Sequence, residues 1–134
     1  MIKRKRGFGF TLVEMMITVA IIGILSSVAY PSYIDFVVRS NRAEGLRELV
    51  RIANLQEQHY VDNRSYTEAM TDLGLNADPF VTENGHYSID ATVVNDTFSL
   101  VATAQGNQAL KDSACGTIAV TDTGKKTPAS NCWE

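Results

Sequence analysis

The sequence predicts an α+β fold: one long N-terminal helix packed on an antiparallel sheet of three or four strands. Three observations carry this expectation. A long apolar stretch opens the chain, running without charge from Met15 to Ile34. A three- and four-residue apolar period then continues to about Asn63. Beyond a turn-rich stretch the pattern switches to short alternating runs that read as strands. The 134 residues suit a single domain plus this apolar segment. The head must therefore build a small core, of the kind that often needs a staple.

The first element begins with a basic cluster, Lys3, Arg4, Lys5 and Arg6, which holds four of the chain's 12 basic residues. The uncharged window behind it is 20 residues long. As a helix it would span about 30 Å, the thickness of a bilayer's hydrocarbon core. Basic residues ahead of the span put the N-terminus in the cytoplasm and everything after the helix outside it. An ordinary secretory signal would also begin this way, with Ser26, Ser27 and Ala29 passing for its cleavage site. Two features argue against that reading: the helical pattern continues past Tyr33, and Glu14 stands near the start of the apolar run. By position alone Glu14 could lie at headgroup level, but an ionisable residue in a membrane helix is a functional candidate.

In the second half of the helix, Ala43, Leu46, Leu49, Val50, Ala53 and Tyr60 make one apolar face. Arg39, Arg42, Arg47, Glu48, Arg51 and Glu57 fill much of the remainder, and Pro31 and Gly45 mark expected bends. Residues 63–85 form a loop region with turn signals at Asp78-Pro79 and Asn84-Gly85, and Met70, Leu73 and Leu75 are expected under the sheet. Strands follow at 87–93 and 98–102, joined by Asn95-Asp96 as a hairpin turn, and at 116–120, closed by Asp122-Thr123-Gly124. A loop is expected from Gly106 to Ala114. Cys115 and Cys132 are the only cysteines, and in an exported domain they fit one disulfide; in the cytosol the same pair would stay reduced.

Gly9-Phe10-Thr11-Leu12-Val13-Glu14, with basic residues before it and the apolar helix after it, resembles the prepilin signature shared by type IV pilins and the pseudopilins of type II secretion. The resemblance implies a leader at 1–9, cut between Gly9 and Phe10 by a prepilin peptidase that methylates the new amine of Phe10. It implies a transmembrane and filament-core helix half at 10–34 and a periplasmic head at 35–134 that includes the second helix half. Glu14 falls at the family's acidic position, where it would neutralise a neighbouring subunit's terminal amine. Pro31 matches the proline that bends or locally melts the helix in assembled pili. The helix-then-hairpin layout matches the pilin fold, with Cys115 and Cys132 bracketing its disulfide-bounded loop, and is most like minor pilins of the PilE type.

The function expected is therefore that of a minor type IV pilin, supporting pilus assembly and through it twitching motility, adhesion or DNA uptake. It would sit in the inner membrane before assembly and in the extracellular pilus afterwards, its partners being other pilins through their N-terminal helices. A pseudopilin or a major pilin is the alternative within the same architecture. A DNA- or surface-binding module at the pilus tip is the alternative of a different class. Outside the N-terminal cluster, eight basic residues face 15 acidic ones, so nucleic acid is not expected as the main partner. No enzyme is expected: His59 and His86 gather no triad or metal-ligand spacing, no cofactor loop is present, and Asp90, Asp96, Asp112 and Asp122 fit turns and not a calcium loop. Lys125-Lys126 reads as a solvated turn, and Trp133 either packs on the disulfide or is an exposed contact residue.

Overall fold

The computed structural model describes residues 7–129 and 131–134. The basic cluster at 3–6 therefore lies outside the described residues. Helix α1 runs Leu12–Asn63, with Pro31 and Gly45 inside it. Five strands follow: β1 Phe80–Val81, β2 Tyr87–Val94, β3 Thr97–Ala104, β4 Thr117–Thr121 and β5 Lys126–Thr127. They form one antiparallel sheet in the order β1-β2-β3-β4-β5. The class is the expected α+β, with two short edge strands that alternation cannot signal because each is two residues long. The expected loop at 106–114 contains a short helix, α2, at Gly106–Lys111. The chain divides into two compact units, one ending at Phe36 and the other running Val37–Glu134.

In the second unit the core joins Leu49 and Ile52 of α1 to Ile89, Leu100, Ile118 and Tyr87 of the sheet, all fully buried. Met70, Leu73 and Leu75 close it from below, as their sequence position suggests. The buried stripe of α1 is Val38, Gly45, Leu49, Ile52 and Gln56, a three-, four- and seven-residue spacing. It is rotated from the expected face: Val50 is 48% exposed, while Leu46 and Ala53 pack at the rim. Gln56 takes a core position because its amide is fully used. It donates to the carbonyl of Thr67 (2.6 Å) and accepts from the Thr67 N–H (3.1 Å).

The β2–β3 hairpin forms as the Asn95-Asp96 signal suggests. Both residues adopt positive φ (50° and 59°), the conformation a two-residue turn requires. Gly45 has a packing role instead of marking a break in the helix. A Cβ built there would lie 2.9 Å from two Tyr87 ring atoms. The ring cannot easily retreat, because its hydroxyl is 3.1 Å from Gln108 Nε2 and it is fully buried. Helix propensity favours alanine by about 1 kcal/mol, but overpacking a filled core costs roughly 1–3 kcal/mol. Gly45→Ala is thus expected to destabilise the unit, lowering its melting temperature by several degrees in a thermal denaturation followed by circular dichroism. An unchanged or higher melting temperature would show that Tyr87 can yield.

Candidate assembly interface

The helix start is built by Thr11 and Glu14. The Glu14 N–H donates to Thr11 Oγ1 (3.2 Å), and the Thr11 N–H donates to Glu14 Oε2 at a long 3.4 Å. This reciprocal arrangement is a capping box, satisfying two backbone donors that a helix N-terminus leaves orphaned. It also sets a carboxylate at the positive end of the helix dipole. The Thr-x-x-Glu spacing ahead of an apolar run is legible in the sequence, although reading Glu14 only as a partner for another subunit passes over it.

From this start to Phe36 the large apolar side chains are uncovered. Phe10 is 81% exposed, Ile24 68% and Phe36 70%, with only Ile34 half-buried among them. The helix is long and apolar enough to cross a membrane. Three of its hydroxyls bond back to its own backbone: Thr18 to the Glu14 carbonyl (2.8 Å), Ser27 to Ile24 (2.7 Å) and Ser32 to Val28 (3.2 Å). These three donors are therefore satisfied within the helix in an apolar environment. Pro31 removes one helical N–H and is the weak point of the stretch, at an interior cost of about 3 kcal/mol. A Cβ placed on Gly9 or Gly23 would meet no atom within 4 Å, so nothing in the chain's own packing requires glycine at either site.

The second unit carries a polar cluster that sequence reading missed. Arg42 makes a two-pronged pair with Asp112 (Nε–Oδ2 2.8 Å, Nη2–Oδ1 2.5 Å). Gln108 Nε2 lies within hydrogen-bonding distance of the Val38 carbonyl (3.1 Å), Tyr87 Oη (3.1 Å) and Asp112 Oδ2 (3.4 Å), and its Oε1 accepts from Asn41 Nδ2 (3.2 Å). Hydrogen bonding to Asp112 raises the Arg42 pKa above its usual value, and burial pushes the Tyr87 hydroxyl up. The cluster ties α2 and the residue that ends it to α1, and so acts as a fastening. Three residues beyond Asp112, Cys115 is disulfide-bonded to Cys132, as expected for an exported domain. The disulfide closes a loop with a sequence separation of 17, which contributes on the order of 3 kcal/mol in the chain-entropy account.

The remaining candidates stay apart. His59 Nδ1 is 3.3 Å from Asn63 Nδ2, and the His86 carbonyl accepts from the Gln105 N–H. Among the described residues no group of three or more His, Cys, Asp or Glu side chains could hold a metal ion. Trp133 Nε1 donates to the Thr127 carbonyl (3.3 Å), with Lys126 Nζ 5.1 Å from the centre of its ring.

Comparison with known proteins adds to this geometry. A family model described as type IV minor pilin ComP, DNA uptake sequence receptor, matches residues 31–119. A second, the prokaryotic N-terminal methylation motif, matches residues 2–30. The chain is similar to the type IV major pilin protein PilA of Myxococcus xanthus (36% identical over 81 residues, 60% of this chain and 34% of the relative). It is similar to a fimbrial protein of Pseudomonas aeruginosa (32% over 102 residues, 71% of this chain and 66% of the relative). It is also similar to the type IV major fimbrial protein FimA of Dichelobacter nodosus (56% over 54 residues, 37% of this chain and 34% of the relative). The matches thus span from about a third to just under two thirds of these relatives' own length.

Proposed function

The chain belongs to the type IV pilin family, and from that premise we propose that it is a minor pilin, joining type IV pili through its N-terminal helix. The observation that carries the proposal is the uncovered apolar surface from Phe10 to Phe36, headed by the Glu14 carboxylate. A helix that is apolar all round needs either lipid or other helices about it. Lipid serves before assembly, with the N-terminus cytoplasmic and the head periplasmic; the stems of other pilins serve afterwards. A prepilin peptidase cuts between Gly9 and Phe10, and the methylated amine of Phe10 becomes the positive partner of a neighbour's Glu14. Before assembly the capping box gives that carboxylate a local use. The choice of minor over major pilin is supported by the description of the family matched at 31–119, whereas the curated relatives include major pilins.

Deleting the gene is expected to reduce surface pili counted by electron microscopy, and the protein should be a small fraction of sheared filaments. Wild-type pili with defective exoprotein secretion would overturn the assignment in favour of a pseudopilin, and a filament made mostly of this chain would make it the major subunit.

A second reading has one specific support. The matched family is described as a DNA uptake sequence receptor, so DNA capture by the head is a further role for this chain. Its acidic balance restricts such a contact to a local basic spot, for which Lys125, Lys126 and Trp133 are candidates. Wild-type DNA uptake in a Lys125→Ala/Lys126→Ala strain with normal piliation would exclude these residues.

A further inference from the structure

The sheet has an incompletely covered edge. β1 pairs only with Ser88 and Ile89, leaving Asp90 to Val94 of β2 without a strand partner on that side. Phe98 directs its backbone toward β4, since its carbonyl accepts from the Asp122 N–H (3.1 Å). Its partner across the hairpin, Val93, therefore turns its own N–H away from β3, and by two-residue alternation so does Ala91. Both of these outward donors are occupied by carboxylates. The Ala91 N–H donates to Asp90 Oδ1 (2.9 Å) and the Val93 N–H to Glu68 Oε1 (2.9 Å). Asp90 and Glu68 are themselves exposed.

We propose that Asp90 and Glu68 hold the open edge of β2 shut against strand addition by a second copy of this chain. The edge is otherwise well suited to pairing. Thr92, Val93 and Val94 are β-branched, and Val94 is 58% exposed. An antiparallel edge can pair with its own copy about a two-fold axis, so the same surface supplies both partners. An incoming strand must place its carbonyl oxygens where Asp90 Oδ1 and Glu68 Oε1 now sit. The carboxylates remove the donors and oppose the acceptors with negative charge, and the other copy carries the same pair. At the far side of the sheet, β5 is two residues long, carries Lys126 and runs into Pro128, so that edge is blunted by other means. This geometry stands independently of the filament, but packing many copies side by side is the circumstance in which an unguarded edge would cause mispairing.

The test is amide hydrogen exchange by mass spectrometry on the full chain in detergent micelles, comparing wild type with Glu68→Ala/Asp90→Ala at low and high protein concentration. The wild-type rates at Ala91 and Val93 should be independent of concentration. In the double variant, these two amides should exchange faster at low concentration. At high concentration they should become about tenfold slower, with a larger species by size exclusion. Slow exchange at Leu100 and Ile118 in the same data establishes that the head remains folded, and Glu68→Ala alone should change Val93 but not Ala91. Adding Val93→Pro, which deletes one outward donor, should abolish the concentration dependence. Exchange that quickens equally at every concentration, with wild-type elution, would reduce the carboxylates to local caps and overturn the proposal. Association that survives Val93→Pro would place the contact elsewhere and overturn it too.

Discussion

Gly9→Val is expected to leave the protein as uncut precursor in the membrane fraction, with no mature form. Glycine has special value where backbone must be approached closely or bent to positive φ. Gly9 is exposed, its φ is not positive, and nothing lies within 4 Å of where its side chain would be. Its own fold does not ask for glycine, and under the proposed processing the bare backbone serves the peptidase. A branched side chain beside the scissile bond then obstructs the approach that cleavage needs. Intact-mass measurement of the membrane-associated protein reads the result directly. A wild-type mature N-terminus at Phe10 with normal processing of Gly9→Val would refute the steric argument. A start after Ala29 would establish an ordinary signal sequence.

The second large effect belongs to Glu14. Glu14→Ala should insert in the membrane and keep a folded head, yet be depleted from sheared filaments. Leaving one buried charge without its partner costs about 3–5 kcal/mol, a hundredfold or more in equilibrium. Alanine also removes half of the capping box, so the depletion alone does not identify the cause. Glu14→Gln separates the two. Glutamine at this position still reaches back to the Thr11 N–H, as a capping box allows, but it cannot neutralise an amine. Depletion of both variants, measured by quantitative immunoblot of filaments against total membrane protein, is the expected result. Full incorporation of Glu14→Gln would mean that capping, and not charge pairing, is what Glu14 supplies.

Much of this molecule was legible in its sequence because the signals are local. The Asn95-Asp96 turn, the alternation of β2 and β3 and the period of α1 each depend on neighbours within a few positions. What escaped reading depends on distant partners. Gln56 looks like a surface residue until the Thr67 backbone, 11 positions on, uses both ends of its amide. Gln108 and Asp112 look like loop residues until α1 supplies Val38, Asn41 and Arg42, about 70 positions away in sequence. The rotation of the buried stripe has the same origin. Once Gln56 counts as interior and Gly45 is claimed by the Tyr87 ring, Val50 turns out to solvent. At the N-terminus Glu14 is conspicuous as a lone carboxylate at the head of an apolar run, while its capping role is visible only when Thr11, three residues earlier, is read with it.

The strand order carries a consequence for how the head comes into being. Every strand of β1-β2-β3-β4-β5 pairs with the one made just before it, and no crossover interrupts the series. Loop closure is therefore inexpensive at each step, the regime in which small sheets fold quickly. The sheet can grow in the direction of synthesis, one hairpin after another, against the stripe of α1 that precedes it. Cys132 lies beyond the last strand, so its bond to Cys115 can close only after every strand of the sheet has been made.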